Sequence, residues 1–377
     1  MAGLRSIAAL SARVSDKTVW TFVRAETVDG RCGWGEATLQ GHVDAVHRHI
    51  TRLRAELVGG AVGANEISKS VGTRGRDAAE AAAISAIDQA LGDIVAQEAG
   101  KALAASLGEV QRRTIALYAN INRGMRDRGP AGFAARALEV KQRGFDALKI
   151  APFDEAQRGA AKPDIGPGLE RIAAVRAAIG PETRLLVDCH WRLTEAAAID
   201  VLREVESLGL YWFECPLGEE PDNFDALRRL RTRANRSGVR LAGCEMMVAV
   251  EGFRPFLDAG IYDVIMPDVK YAGGLRELLR IAELAAGYGV TCSPHNPSGP
   301  IAHAHSLHLS ALLPQFTFLE YQYEESPLFF DFVTGTLPDP RTGTSALPPG
   351  NGLGLGIGGA ALRGHLVAVD GIDGAIL

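Results

Sequence analysis

The sequence predicts an α/β protein: a closed parallel β/α barrel, preceded by a small mixed domain and followed by an irregular tail. Three observations carry that reading. From about residue 114, short apolar runs alternate with amphipathic stretches some eight times, the strand-then-helix rhythm of a parallel barrel. No glycine-rich phosphate loop interrupts the series, and its even spacing favours closure over a doubly wound open sheet. The chain has 377 residues, whereas one large α/β domain takes roughly 250, so about 120 are left for further structure.

Residues 1–115 read as mixed α+β. TVWTFVRAET (18–27) alternates as a strand does, DG at 29–30 marks a turn, and RCGWGEAT resumes an extended run. Helical patterns follow at 43–58 and 77–100. The second has Ala, Ile and Leu at three- and four-residue spacing and reads as a buried packing helix stopping at Gly100. The barrel strands are TIALYAN (114–120), DALKIA (146–151), RLLVDC (184–189), LYWFE (210–214), RLAGCE (240–245), YDVIMPD (262–268), VTCSPH (290–295) and FTFLE (316–320). Helical segments such as GLERIAAVRAAIG and LRELLRIAELAAGYG separate them. Beyond residue 330, Pro and Gly density implies irregular chain with short strands, folded back onto the first domain for want of a core of its own.

Hydrophobic residues are 47% and charged residues 23%, as in a soluble protein with a sizeable core. A formal net charge of −5 without a basic block argues against nucleic acid or an anionic membrane as partner. No apolar run reaches the roughly 18 residues of a membrane span. The first residues, MAGLRSIAALSARVSDK, are broken by Arg5 and Ser6 and do not read as a secretory signal. Five scattered cysteines without a CxxC suit reduced thiols. Small-molecule chemistry in the cytoplasm is the expectation.

Catalytic groups of such a barrel project from the C-terminal ends of its strands. The last polar residues of the predicted strands are Lys149, Asp188, Glu214, Glu245, Asp268, His295 and Glu320, each about one strand–helix unit from the next from Asp188 onward. Asp188, Glu214 and Glu245 on one rim would repel each other unless a cation neutralised them, and an all-oxygen set suits Mg²⁺. Asp268 and His295 fall on adjacent strands, where a carboxylate beside an imidazole makes a general base. His190, two residues past Asp188 and so on the same strand face, points at the same pocket and makes a second acid–base group. Cys189, Cys215 and Cys244, each adjoining an acid, alternate outward as packing residues. His303, His305 and His308 are left as helix surface or packing.

The motifs VDCHWRL (187–193), WFECP (212–216), GCE (243–245), MPDVKYAGG (266–274), SPHNPSGPIA (293–302) and FLEYQ (318–322) occur in that order, with GWGEATLQG (33–41) before and LPPGNGLGLGI (347–357) after. Together they resemble the enolase superfamily, and within it the mandelate-racemase-like subgroup. The resemblance implies a (β/α)7β TIM-like barrel (116–330) under an α+β N-terminal capping domain (1–115) completed by the C-terminal segment (331–377). It implies Asp188, Glu214 and Glu245 as Mg²⁺ ligands, Asp268–His295 as base dyad, Glu320 as an acid hydrogen-bonded to the substrate carboxylate, and a homo-oligomer. The shared step is removal of the proton α to a carboxylate.

One departure is informative. Racemases of this family carry a KxK pair on the second barrel strand, and here LKIAPF has Lys149 but Ala151 in place of the second base. The Asp188-x-His190 spacing and HNPSGPIA are similar to galactonate dehydratases, and GEATLQG and DCHWRL to the mannonate and gluconate dehydratase group. That likeness implies Mg²⁺-dependent dehydration of a sugar acid to a 2-keto-3-deoxy acid, with His295 as base, His190 as the acid on the leaving hydroxyl, and Lys149 on the carboxylate. Gln40, His42, Asn120, Asn122, Trp191 and Arg192 are the candidates for substrate contact. Rival outcomes are a lactone cycloisomerase or an epimerase using the same enolate, and a noncatalytic carboxylate-binding barrel.

Overall fold

The structure, a computed structural model, describes residues 3–60 and 77–371. Four antiparallel strands make the first sheet: β1 (Leu4–Arg13), β2 (Val19–Thr27), β3 (Cys32–Glu36) and, from the far end of the chain, β15 (Leu366–Asp370), in the order β15-β1-β2-β3. β1 has no clean alternation because it lies inside the sheet and is buried along nearly its whole length. Two helices pack beside it, α1 (Val43–Leu57) and α2 (Ala78–Glu98). α2 is capped by the Asp77 carboxylate, which accepts the Ala79 N–H. Small and aliphatic residues surround it on every face, as burial between two layers requires.

The barrel strands are β4 (Thr114–Asn120), β5 (Ala147–Ile150), β6 (Arg184–Asp188), β7 (Trp212–Glu214), β8 (Arg240–Gly243), β9 (Val264–Ile265), β10 (Thr291–Cys292) and β11 (Leu319–Gln322). They pair in parallel in the order β10-β9-β8-β7-β6-β5-β4-β11, and a parallel bridge from Cys292 to Phe316 joins the two ends. One helix of at least two turns follows each strand from β4 to β10, which is the (β/α)7β arrangement. None of the described helices is long and apolar enough to cross a membrane.

Strand alternation explains how the interior is layered. Tyr118, Ala147, Leu186, Trp212, Ala242 and Phe318 meet in one apolar cluster on the axis. Two residues further along their strands, on the same face, stand Asn120, Lys149, Asp188, Glu214 and Glu320. A dry plug therefore carries a polar layer directly above it. β8 breaks the rule: two residues beyond Ala242 is Cys244, not an acid. Cys244 adopts φ 68°, a left-handed turn past the strand end, which sends its thiol to the outer core and brings Glu245 inward. The strands at β9 and β10 also end earlier than the sequence suggests, so Asp268 and His295 lie on loops.

The tail touches both parts of the molecule. β12 (Val333–Gly335) pairs with β14 (Leu355–Ile357), β13 (Thr344–Ala346) pairs with β4 of the barrel, and β15 pairs with β1.

β3 lies so close on α2 that Gly33 and Gly35 leave no room for a side chain. A Cβ on Gly35 would overlap the Ala86 carbonyl oxygen. Gly35→Ala should therefore cost about 1–3 kcal/mol of stability by overpacking, read as a lower urea midpoint. An unchanged midpoint would show that the two elements can separate freely.

Helix Pro300–Ser310 is buried throughout, so its three histidines are packing residues and none is surface. Burial drives all three rings neutral: His303 and His305 fall to about 3 and His308 to about 4. The unfolded chain takes up these protons near pH 6.5 while the native state refuses them. Stability is therefore full above that pH and is lost as acid carries the protein down toward the folded values. Urea unfolding between pH 6 and 4 should give a slope smaller by about 1.4 kcal/mol per pH unit in a His303→Gln variant; identical slopes would mean that His303 charges in the folded state.

Candidate active site

Asp188 and Glu214 are register partners on β6 and β7, and Glu245 follows the turn after β8. Their carboxylate oxygens lie within 4.8 Å of one another, and all three residues are buried. Lys149, from β5, places Nζ 2.6 Å from Glu214 Oε1, 3.1 Å from Glu320 Oε1 and 3.6 Å from Asp188 Oδ2. Trp212 Nε1 donates to Glu214 Oε2 at 2.9 Å. Four buried carboxylates thus face one ammonium, which lies within ion-pair distance of three of them.

That imbalance appears in their proton affinities. Burial pushes Glu214 up to about 8, against the pull of Lys149. Burial, and then Asp188, raise Glu245 well above the carboxylate range. Burial acts on Asp188 too, but His190 and Lys149 outweigh it and hold that carboxyl low. Burial alone would depress the Lys149 ammonium; Glu214 and Glu320 keep it firmly charged. Glu245 Oε2 is buried without a hydrogen-bond partner among the described residues. Three converging hard oxygens with one unsatisfied lone-pair donor fit a divalent cation.

Beside the cluster, His295 Nδ1 lies 2.8 Å from Asp268 Oδ2, and Nε2 lies 3.7 Å from Glu245 Oε2. An Nδ1–H donated to Asp268 leaves the Nε2 lone pair on the cluster side, the geometry of a general base. Burial lowers the ring's proton affinity, partly offset by Glu320 and Asp268. Asp268 is buried as well, yet Lys270 and His295 hold it ionised.

His190 is not on a strand. β6 ends at Asp188, and His190 (φ 48°) and Trp191 (φ 57°) turn the chain in left-handed conformation. Asp188 secures the turn, accepting the His190 N–H at 2.9 Å and facing Nε2 at 2.9 Å. The ring remains half-exposed on the cavity wall. It flanks the cluster on the β6 side, while His295 flanks it on the β8 side.

A cavity of about 410 Å³ opens above the polar layer. Gln40, His42, Asn120, Asn122, Lys149, Asp188, His190, Glu245 and His295 line it, joined by Thr18, Thr38, Arg123, Lys270 and Tyr271. Trp191 and Arg192 do not. The reversal after Asp188 turns both away: Arg192 Nη1 clamps the carbonyls of Phe153, Asp154 and Ala156 at 3.0–3.2 Å, and the Trp191 ring lies under Arg158. Glu320 sits beneath the cavity floor. It accepts from Asn120 Nδ2 at 2.7 Å and the Asn296 N–H at 2.9 Å, and despite burial Lys149 and His295 pull it down to about 2. It is placed as an acceptor for the Asn120 and Asn296 donors.

Sequence reasoning passed over the residues that hold the dyad. Lys270 Nζ donates to Asp268 Oδ2 and to Ser298 Oγ, both at 2.6 Å. The Tyr271 hydroxyl lies 3.1 Å from His295 Nδ1. Glu36, at the end of β3, accepts the Gly299 and Ala302 N–H groups at 2.8 and 2.9 Å, capping the helix behind His295 from the first domain. Lys270 and Tyr271 stood within MPDVKYAGG, and Glu36 within GWGEA, but only the fold pairs them with the site.

Residues 6–108 match the mandelate racemase / muconate lactonizing enzyme N-terminal domain, and residues 132–361 match the enolase C-terminal domain-like family. The chain belongs to the mandelate racemase / muconate lactonizing enzyme family. It is 32% identical to a D-gluconate dehydratase of Thermoproteus tenax, over 89% of this chain and 67% of the relative. It is 31% identical to a D-galactonate dehydratase of Verminephrobacter eiseniae, over 77% and 75%. A solved structure, the 3,6-anhydro-D-galactonate cycloisomerase from Zobellia galactanivorans, superposes with a TM-score of 0.85 at 28% identity, over 97% of this chain and 100% of that one.

Glu245→Gln removes one charge from the cluster and one of its oxygens. Calorimetric titration should show divalent-cation affinity falling at least about tenfold; equal affinity would place the cation elsewhere.

Proposed function

We propose that this protein is a Mg²⁺-dependent dehydratase of sugar acids, removing the proton α to the carboxylate and expelling the β-hydroxyl to leave a 2-keto-3-deoxy acid. The observation that carries the reading is the placement of two histidines, one bonded to Asp268 and one to Asp188, on either side of a three-carboxylate cluster. The ligands are Asp188, Glu214 and Glu245, and Mg²⁺ when bound supplies positive charge to the substrate carboxylate as its α-proton leaves.

The chain's own residues divide the remaining work. His295 Nε2 takes the α-proton, with Asp268 orienting the ring and stabilising the imidazolium. Lys149 contributes an ammonium to the carboxylate end. Glu320 keeps that ammonium and Asn120 in place. His190, on the opposite flank, protonates the departing hydroxyl. Ala151 is buried where a second base would stand, which favours elimination over two-base racemisation. The named activities of the relatives support the same chemistry.

A second reading, cycloisomerisation, is favoured by one observation, the likeness to the Zobellia galactanivorans enzyme. It shares α-proton chemistry but releases no water. A library of hexonates, pentonates, aldarates and 3,6-anhydro acids, incubated with Mg²⁺ and assayed for 2-keto acid, separates the two: conversion of an open-chain acid requires loss of water, whereas conversion confined to the anhydro acids, whose ring oxygen leaves C3 and stays in the product, would favour the second. Absence of any conversion would sink both.

With the substrate so found, His295→Asn should abolish α-deuterium exchange in D₂O. His190→Asn should retain exchange while water loss slows by about 10²–10⁴-fold. Exchange surviving in the His295 variant would overturn the base assignment.

A further inference from the structure

Arg123 is held less fully than the arginines that fix the neighbouring barrel loops. Arg171 binds Glu155 through both terminal nitrogens and also two carbonyls, and Arg176 binds four carbonyls. Arg128 likewise has Asp154 and two carbonyls. Each of these guanidinium groups is fully occupied in holding loops. Arg123 lines the cavity, and a single nitrogen, Nη1, makes both of its contacts, to Pro297 O and Glu325 Oε2, each at 3.4 Å. Nε and Nη2 have no hydrogen bond among the described residues. The side chain is 30% exposed and forms part of the cavity lining.

Its position is also defined. β4 ends at Asn120, whose amide reaches Glu320 in the polar layer. Arg123 follows three residues beyond, above that layer. Glu325 is held from the cap by the hydroxyls of Thr18 and Ser15, which engage Oε1 and leave only Oε2 toward Arg123. The cavity is therefore lined by Asp188, Glu245, Lys149 and His295 at the barrel end, and by Thr18, Thr38 and Gln40 of the first domain together with Arg123. Lys270, the other cation on the wall, is 3% exposed and already bound to Asp268 and Ser298.

We propose that Arg123 receives a second, distal carboxylate, so that the preferred substrates are dicarboxylic sugar acids (aldarates) and not aldonates. This rests on the sugar-acid reading of the same site and names its substrate class. A planar fork with two open donors matches a carboxylate bidentately, whereas the terminal hydroxymethyl of an aldonate offers one neutral oxygen. The volume of about 410 Å³ lies within the usual range of small-ligand pockets, roughly 300–1,000 Å³.

The test compares each hexarate with the hexonate of the same configuration, in the full-length protein with Mg²⁺. Wild-type kcat/KM should favour the hexarate by at least about tenfold, and Arg123→Met should reduce that hexarate-to-hexonate ratio by at least about tenfold, mainly through KM. Arg123→Lys, which keeps charge and loses the fork, should fall between. A wild-type preference for the hexonate, or a ratio unmoved in Arg123→Met, would overturn the proposal. If neither acid turns over, the dehydratase reading fails, and the ratio of calorimetric Kd values for the same pairs decides this one. An Arg123-dependent preference for the hexarate supports it, and equal ratios in wild type and Arg123→Met overturn it.

Discussion

Four carboxylates buried at one end of a barrel, with a single ammonium among them, cannot all be ionised on their own. This electrostatic constraint organises the rest of the site. Asp188, Glu214 and Glu320 reach that layer because three strands deliver inward residues at the same height above an apolar plug, and Glu245 joins them through the turn after β8. The plug matters as much as the acids. Tyr118 and Trp212 meet edge to face, and Trp212 also donates to Glu214, so packing below fixes a ligand above. A divalent cation relieves the repulsion, and the cluster is dry enough for that charge to act strongly on a bound carboxylate.

The second constraint is mechanical. His295 lies on a loop, and a loop needs external support to hold a base within reach of the cluster. That support comes from the cap. Glu36 caps the helix after His295, Gln89 reaches the Val269 carbonyl, and Asp88 accepts the Leu275 N–H. Ser85 accepts the Gly273 N–H. The loop carrying Asp268 is thus tied to α2, and the loop carrying His295 to β3. The first domain that roofs the cavity also positions His295, so the cavity wall and the proposed base share one scaffold.

Much of this was legible from the residue order. Eight strands with seven helices between them, Asp188 and Glu214 at strand ends and the one-unit spacing of Asp268 and His295 follow from periodicity, because alternation and repeat length dictate where strand ends fall. The misreadings have local causes. Alternation along 240–245 expects Glu245 at a strand end; it arrives instead through the left-handed Cys244, which no alternation rule foresees. Two successive left-handed residues reverse the chain after Asp188 and carry Trp191 and Arg192 away from the cavity. Lys270, Tyr271, Glu36 and Arg123 have no periodic signature. Apart from the Lys270–Asp268 bond, their significance arises from partners between 24 and 266 residues away, a distance over which a single sequence has no spacing rule.

The central claim is that the carboxylate cluster is a cation site facing His295. Crystals grown with Mn²⁺ in place of Mg²⁺ test it most directly, because the ion's anomalous signal locates it independently of any substrate. The account predicts one strong peak bound by oxygens of Asp188, Glu214 and Glu245, on the side of the cluster that His295 Nε2 faces. A cluster without a peak, or a peak held by other residues, would contradict it.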